Sequence, residues 1–396
     1  MLSFKFFLTE ATDESKLTHL EHAEDHVINA GEKGFAHAYH NLTDVHDKIK
    51  GKHNDTRITT KYDGSPSIVF GHHPETGKFF VATKSAFNKS PKLNHSEKDI
   101  EENHGQSPGL ATKLKHALKH LPKVAPKKGV YQGDLMHSGV HSKENPEGDV
   151  ESKGGKYHFK PNTITYSTKH NSDEGKKIAH SKLGIAVHTA YEGKDISNLK
   201  AKYAPDLSHF KQHKDVHLID TQDDVHNTKM SDDDHFKFDS HMKAATKHFN
   251  EAPKDFENKI EGHKEHLKSY INKTVREGTT PSVKGYKEHL HDKFTKEASK
   301  LKTEKGVQNK MNELGAHHDH INKHEEHFNS VLNMHNHLQK AKDTLVSALS
   351  SKPKFEHHIG GIKAKPEGYV VVRNNRPTKL VDRAEFSRAN FLRDRA

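Results

Sequence analysis

Apolar residues recur along this chain at two different periods. Leu17, Leu20, Ala23, Val27 and Ile28 form one stripe at intervals of three and four. After a glycine-marked break over residues 31–34, Phe35, Ala38, Tyr39, Leu42, Val45 and Ile49 form a second. This spacing predicts helices over residues 15–50, packed behind the strand that follows. From residue 57 the period falls to two. Arg57-Ile-Thr-Thr60, residues 67–70 and residues 79–83 read as strands, separated by turns through Asp63-Gly-Ser-Pro and Pro74-Glu-Thr-Gly77.

Residues 88–108 are polar and read as loop, and Leu110, Leu114, Ala117 and Leu121 predict a short helix over 109–121. A compact strand is expected over 129–136, with a glycine that lets backbone approach a ligand closely. Further β-like runs cover 157–166, 183–190 and 216–219. Residues 235–352 then return to helical period. Val307, Met311, Leu314, His318, Ile321, Phe328, Leu332, His335, Leu338 and Leu345 make a coiled-coil-like seam. An antiparallel helical hairpin or small bundle, turning near 278–285, is the natural reading. The β pattern resumes over 368–373. The expected organisation is therefore an α+β domain in two parts, 55–234 and 356–396, preceded by a helical segment (1–54) and interrupted by a helical insertion (235–355).

Composition narrows the function classes. The apolar fraction is 31%, against an ordinary ~45–50%, which predicts solvated helices rather than one large core. Lys and Arg outnumber Asp and Glu by 64 to 54, and 39 histidines add charge as pH falls. A basic balance favours polyanionic partners, nucleic acid first, with a plain mixed-charge surface as the alternative. Absence of cysteine excludes disulfides, thiolate zinc sites and thiol catalysis. The apolar start is too short for a signal core, and no run reaches the ~18 apolar residues of a membrane helix. A cytoplasmic protein with no membrane partner is expected.

The chemistry sits at predicted strand ends. Lys61-Tyr-Asp63-Gly64 ends the first strand, Lys84 the third, Gly133-Asp134 another, Glu367-Gly368 opens a later one, and Lys379 follows. A lysine amine is nucleophilic only when unprotonated, and burial or neighbouring cations favour that form. Several lysines around one site would neutralise a triphosphate, while Asp134 and Glu367 would hold a hard cation such as Mg2+. Taken singly, each motif is also an ordinary turn or strand start. His320, His324 and His327 fall on one helical face at metal-compatible spacing, although in so histidine-rich a chain a solvated surface is the simpler reading. No P-loop, GxGxxG or nucleophile-elbow pattern competes.

In order, Lys61-Tyr-Asp63-Gly64, Gly133-Asp134, Glu367-Gly368-Tyr-Val-Val and Lys379 resemble the motifs of the covalent nucleotidyltransferases, the superfamily of ATP-dependent DNA ligases, RNA ligases and mRNA capping enzymes. The resemblance covers roughly residues 55–235 and 356–385. It implies two packed antiparallel sheets with a cleft between them, and a lysine that attacks the α-phosphorus of ATP or GTP to form a phosphoramidate. Lys61 takes that role, Asp63 and Gly64 shape its turn, and Lys84 contacts nucleotide or the nucleic-acid end. Asp134 takes the ribose-binding acid's place, Glu367 assists the metal (Mg2+ or Mn2+), and Lys379 contacts the α-phosphate. The adenine is expected on an aromatic residue, with residues 185–191 the segment assigned.

Three departures shape the expected function. Asp134 stands where glutamate is usual, Val381 replaces a second lysine with Arg383 as a candidate substitute, and only 13 residues follow Arg383, leaving no room for an OB-fold domain. These favour an ATP-dependent polynucleotide ligase of the RNA-ligase kind, in the style of a bacteriophage protein, acting on RNA or DNA ends or nicks. The alternative is a non-catalytic nucleic-acid-binding or structural protein on a degenerate ligase-like fold. GTP guanylyl transfer is a third option.

Overall fold

The computed structural model describes residues 20–223, 225, 228–350 and 353–383. In chain order its helices and strands are α1 (His26–Ile49), β1 (Arg57–Thr60), β2 (Ser67–His72), β3 (Phe79–Ala82), α2 (Glu97–His104), α3 (Pro108–His120), β4 (Val130–His137), β5 (Glu151–Lys153), β6 (Lys156–Phe159), β7 (Thr165–Lys169), α4 (Asp173–His180), β8 (Leu183–Glu192), β9 (Lys200–Tyr203), β10 (Val216–Asp220), α5 (Asp232–Glu251), α6 (Phe256–Ile260), α7 (Lys264–Glu277), α8 (Val283–Ala298), α9 (Glu304–Lys323), α10 (Glu325–Leu349), β11 (Glu356–Ile359), β12 (Ile362–Ala364), β13 (Gly368–Arg373) and β14 (Arg376–Val381). They belong to two compact units. Unit 1 comprises residues 1–20, 55–225 and 350–377, and unit 2 comprises 21–54, 226–349 and 378–396.

Unit 1 is α+β. Its largest sheet has the order β10-β8-β4-β2-β3, with β9 also on β8. All these pairs are antiparallel except β8 with β10. One face packs on α3 through Ile68, Phe70, Val81, Leu114, Leu135, Ile185 and Val187. The opposite face buries Val69, Phe80, Val130 and Tyr191. The two-residue alternation along β2 thus feeds two cores, which is why its run is apolar throughout. A five-stranded sheet, β12-β11-β7-β6-β5, sets Phe159 against His137 of β4, with Phe355 beside His217 of β10, and β1 pairs antiparallel with β13. The expectation of two wholly antiparallel sheets is corrected to these groupings.

Several local expectations also change. The polar stretch after residue 88 holds α2, started by a reciprocal cap in which the Ser96 hydroxyl accepts from Asp99 N–H and the Asp99 carboxylate accepts from Ser96 N–H. The 157–166 run divides into β6 and β7 around Pro161, which cannot donate to a ladder. Gly133 serves strand packing: a Cβ there would stand 2.7 Å from the Ala186 carbonyl oxygen of β8.

Unit 2 is helical and joins α1 to α5–α10, so α1 belongs with the helices expected as an insertion. The kink in α1 lies at Gly31 (φ 52°), where a Cβ would collide with Glu257. The apolar seam over 307–345 is divided between α9 and α10, with the break at His324. His320, His324 and His327 therefore do not share one continuous helical face, and His320 Nε2 is spent on the Lys259 carbonyl at 2.7 Å. Lys342 and Glu24, both fully buried, form an ion pair at 2.8 Å. Arg383 joins it through Asp25 at 2.8 Å, and His335 lies 3.0 Å from the same carboxylate oxygen.

Histidines fill much of this unit's interior. His263 lies against His317 (4.8 Å between ring centroids), His320 (5.2 Å) and Phe328 (5.1 Å), with Nδ1 2.8 Å from the Tyr286 hydroxyl. Burial first, then the neighbouring histidines, push His263 down to about 3. His46, buried beside Phe238 and His235, is pushed down to about 4 by burial and then by Lys50. An unfolded chain protonates these rings near pH 6.5, whereas the folded chain does so only well below it. Their contribution to stability is complete above about pH 6.5 and is lost as pH falls toward 3–4. The thermal midpoint followed at 222 nm is expected to drop between pH 7 and pH 4.5, and to drop less in His263→Phe.

Candidate functional site

The site begins where β1 ends. Thr60 pairs with Tyr369, and the next residue, Lys61, donates its backbone N–H to the Gly368 carbonyl at 2.9 Å. That register sets Lys61 beside Glu367, and the ammonium and carboxylate form an ion pair. Both side chains keep partial solvent access, 29% for Lys61 and 17% for Glu367. Strand alternation turns Tyr62 the other way, into the aromatic core under the five-stranded sheet, where its ring lies 5.9 Å from Tyr166 and 6.0 Å from Phe355. Tyr62 is thus an anchor, with a polar residue on either side of it.

Asp63 is held by the loop between β6 and β7. Its carboxylate accepts from Asn162 Nδ2 (2.8 Å), Thr163 N–H (2.8 Å) and Ile164 N–H (3.1 Å), and its own N–H donates to the Tyr166 hydroxyl at 2.7 Å. Gly64 then passes flush against β4: a Cβ would stand 2.6 Å from Asp134 Cβ and 2.9 Å from Met136 Sδ. Ser65 N–H donates to the Leu135 carbonyl at 2.9 Å, and Lys113 from α3 reaches the Ser65 carbonyl at 3.2 Å. The turn is thus fixed by the β6–β7 loop, by β4 and by α3.

The acids have distinct environments. Burial opposes ionisation of Asp134, but His188, with Nε2 at 3.6 Å, the Ser67 hydroxyl and Lys61 hold its carboxyl below the usual range. Burial raises Glu367, opposed by Lys61 and reinforced by Asp63 and Asp134. Its second oxygen, Oε2, is buried without a hydrogen-bond partner. Three carboxylates thus act on one another around one lysine, and one oxygen is left unsatisfied. Among the described residues, a stricter convergence of metal-type atoms occurs at Glu24, Asp25 and His335, but there Lys342 and Arg383 already balance the acids.

Lys61, Asp63, Gly64, Asp134 and Glu367 therefore meet in unit 1. Lys84 is exposed and starts a 3-10 turn after β3, with Thr83 capping it, rather than ending the strand. Lys379 lies within β14 and belongs to unit 2, where its N–H donates to the Glu21 carbonyl at 2.9 Å. Arg383 is buried and engaged by Asp25, Glu24 and Asn272, so it is no substitute for the lysine replaced by Val381. Tyr191, in the segment assigned to the adenine, is buried core against Phe87 at 4.9 Å.

Residues 17–395 match a family of unknown function, DUF6267. The chain belongs to that family. No curated protein and no solved structure matches the chain. Membership thus leaves the activity to the residues themselves. Sequence reading missed Tyr166, Asn162, Lys113 and His188. Of these only His188 left a signal, a lone histidine inside the apolar run Ile185-Ala-Val-His-Thr-Ala190.

The close fit at Gly64 is testable. Gly64→Ala is expected to cost about 1–3 kcal/mol by overpacking against Asp134 and Met136, read as a lower denaturation midpoint, whereas Gly315→Ala, on helical backbone with nothing within 4 Å, does not lower it.

Proposed function

We propose that unit 1 is a ligase-type nucleotidyltransferase domain, and that the protein is an ATP-dependent polynucleotide ligase, RNA-ligase-like, acting through a lysyl-AMP intermediate on Lys61. The observation that carries this reading is the pairing of Lys61 with Glu367 across β1 and β13, with Asp63 and Asp134 gathered around the same turn. In the reaction Lys61 Nζ gives a proton to solvent by way of the Glu367 carboxylate and attacks the α-phosphorus of ATP, the bond from that phosphorus to the bridging oxygen breaks, and pyrophosphate leaves with that oxygen. AMP then passes to a 5′-phosphate end, and attack by a 3′-hydroxyl joins the strands and releases AMP.

Each side chain has a part that its position supports. Glu367 orients the Lys61 amine and, with Asp134, would hold Mg2+ or Mn2+. That ion would neutralise phosphate charge as it develops. Asp63, itself held by three donors, fixes the turn so that the amine does not wander. Lys113 brings a positive charge to the same turn. Lys84 keeps its resemblance-based role, nucleotide contact, as part of the proposal.

A second reading is favoured by one observation. Arg383 is consumed by ion pairs inside unit 2, so the cation that Val381 lacks is not made good there, which suits a non-catalytic nucleic-acid-binding or structural protein.

Incubation with α-32P-ATP, or α-32P-GTP, and Mg2+ followed by a denaturing gel separates the two. Acid-labile label from ATP, absent in Lys61→Ala and reduced about 10²-fold or more in Glu367→Gln and Asp134→Asn, is the expected result. No label from either nucleotide, on folded protein free of prebound AMP, would overturn the enzyme reading in favour of the second.

A further inference from the structure

The five-stranded sheet that anchors Asp63 has a second face. On β6, β7 and β11, Phe159, Tyr166 and His357 stand in register and point into the aromatic core. Residues of opposite parity therefore point the other way: Glu151 and Lys153 on β5, Lys156 and His158 on β6, Lys169 on β7, Glu356 and His358 on β11 and Lys363 on β12, four lysines against two carboxylates. Lys153 is paired with Lys156, and Lys156 with Lys169, so three lysines stand in one row across three strands.

Such a row is unfavourable for the fold, because like charges directly opposite each other destabilise a sheet. Lys156 is compensated by Glu356 at 2.7 Å, and Lys363 acts on the same carboxylate from a greater distance. Lys153, Lys160 and Lys169 are exposed and form no ion pair among the described residues. Residues 151–170 and 356–365 hold six lysines against two carboxylates, whereas the whole chain holds 64 basic residues against 54 acidic. The charge is concentrated here.

We propose that this face binds the sugar-phosphate backbone of a nucleic-acid strand. Neighbouring strands lie about 4.8 Å apart, so the row presents positive charge over about 10 Å. Four steps of about 3.3 Å take the chain from Lys156 to Lys160, which opens the loop that grips Asp63. A strand lying along the sheet from the lysine row would thus reach that loop after about 13 Å. The face has no exposed Phe, Tyr or Trp at these positions on which bases would stack, so recognition is of backbone charge, independent of sequence and sensitive to salt. This places the acceptor of the proposed ligase and rests on that reading for its purpose, though the charge array stands without it.

The test is fluorescence anisotropy with labelled single-stranded RNA and DNA oligonucleotides of about 20 nucleotides, for the full chain, Lys153→Ala/Lys169→Ala and Lys153→Glu/Lys169→Glu. The alanine variant is expected to weaken binding about tenfold at low salt and to reduce the log–log salt slope by about 1.4, two phosphate contacts at ~0.7 each. The glutamate variant weakens it further. Neither variant lowers the thermal midpoint, since each removes like-charge repulsion. Unchanged affinity and slope in both variants would overturn the proposal, as would equal binding of polyglutamate by the unaltered chain. If the chain takes no label on Lys61 while the lysine variants still lose oligonucleotide binding, the ligase reading falls and this surface stands. Label with unaltered oligonucleotide binding in the variants is the reverse outcome.

Discussion

The pairing of β1 with β13 is the constraint on which the candidate site depends. Lys61 and Glu367 are 306 residues apart, and no local propensity brings them together. The ladder does so, from Arg57 opposite Val372 to Thr60 opposite Tyr369, with the Lys61 N–H continuing it to Gly368. Loop closure over such a length adds little beyond closure of a shorter loop, because its entropy grows only with the logarithm of length. A whole helical unit can therefore lie in the connection without weakening the site in proportion.

The chain contains two Lys–Glu pairs whose contrast separates scaffold from chemistry. Lys342 and Glu24 are both fully buried, and Arg383, Asp25 and His335 extend them into a network of alternating charge. Burial disfavours both charges, but their attraction holds Glu24 down and Lys342 up. Such a pair has no access to a substrate, and losing one member leaves a bare charge in the interior. Lys61 and Glu367 keep solvent access, and Glu367 retains an unsatisfied oxygen crowded by two further acids. This second pair is only partly satisfied by the protein itself.

Legibility in the sequence followed the range of the interaction. Helix α3 and strands β1 to β4 were readable, because apolar period and turn residues act over a few positions. Helix α2 escaped notice because its signal was the Ser96–Asp99 cap rather than an apolar stripe, Ile100 being its sole buried residue. Motif order was enough to nominate Lys61, Asp63, Asp134 and Glu367; Lys61, Asp63 and Glu367 stand next to strand ends, whereas Asp134, expected to close its strand, lies inside β4 and pairs with Ser67 and Ala186. What remained hidden were residues that act across sheets. Tyr166 looks like any aromatic in a strand, and only the fold shows its hydroxyl accepting the Asp63 N–H. Arg383 had the right charge near Lys379, and only packing reveals that Asp25 and Glu24 already hold it.

The same reasoning gives the five-stranded sheet a double character. Its inner face is as apolar and interlocked as a core requires, with Phe159 stacked on Tyr166 and Phe355 set edge-on against both. Its outer face is one that stability alone would not choose, since replacing Lys153 or Lys169 by threonine would improve the cross-strand pairing. The Gly154–Gly155 turn, both residues at positive φ, sets the β5–β6 register tightly, so the lysine row is built in rather than an accident of a loose hairpin. A sheet that is rigid on one side and electrostatically strained on the other is suited to hold an extended polyanion in a fixed direction. The loop that leaves its far end grips the Lys61 turn through Asp63.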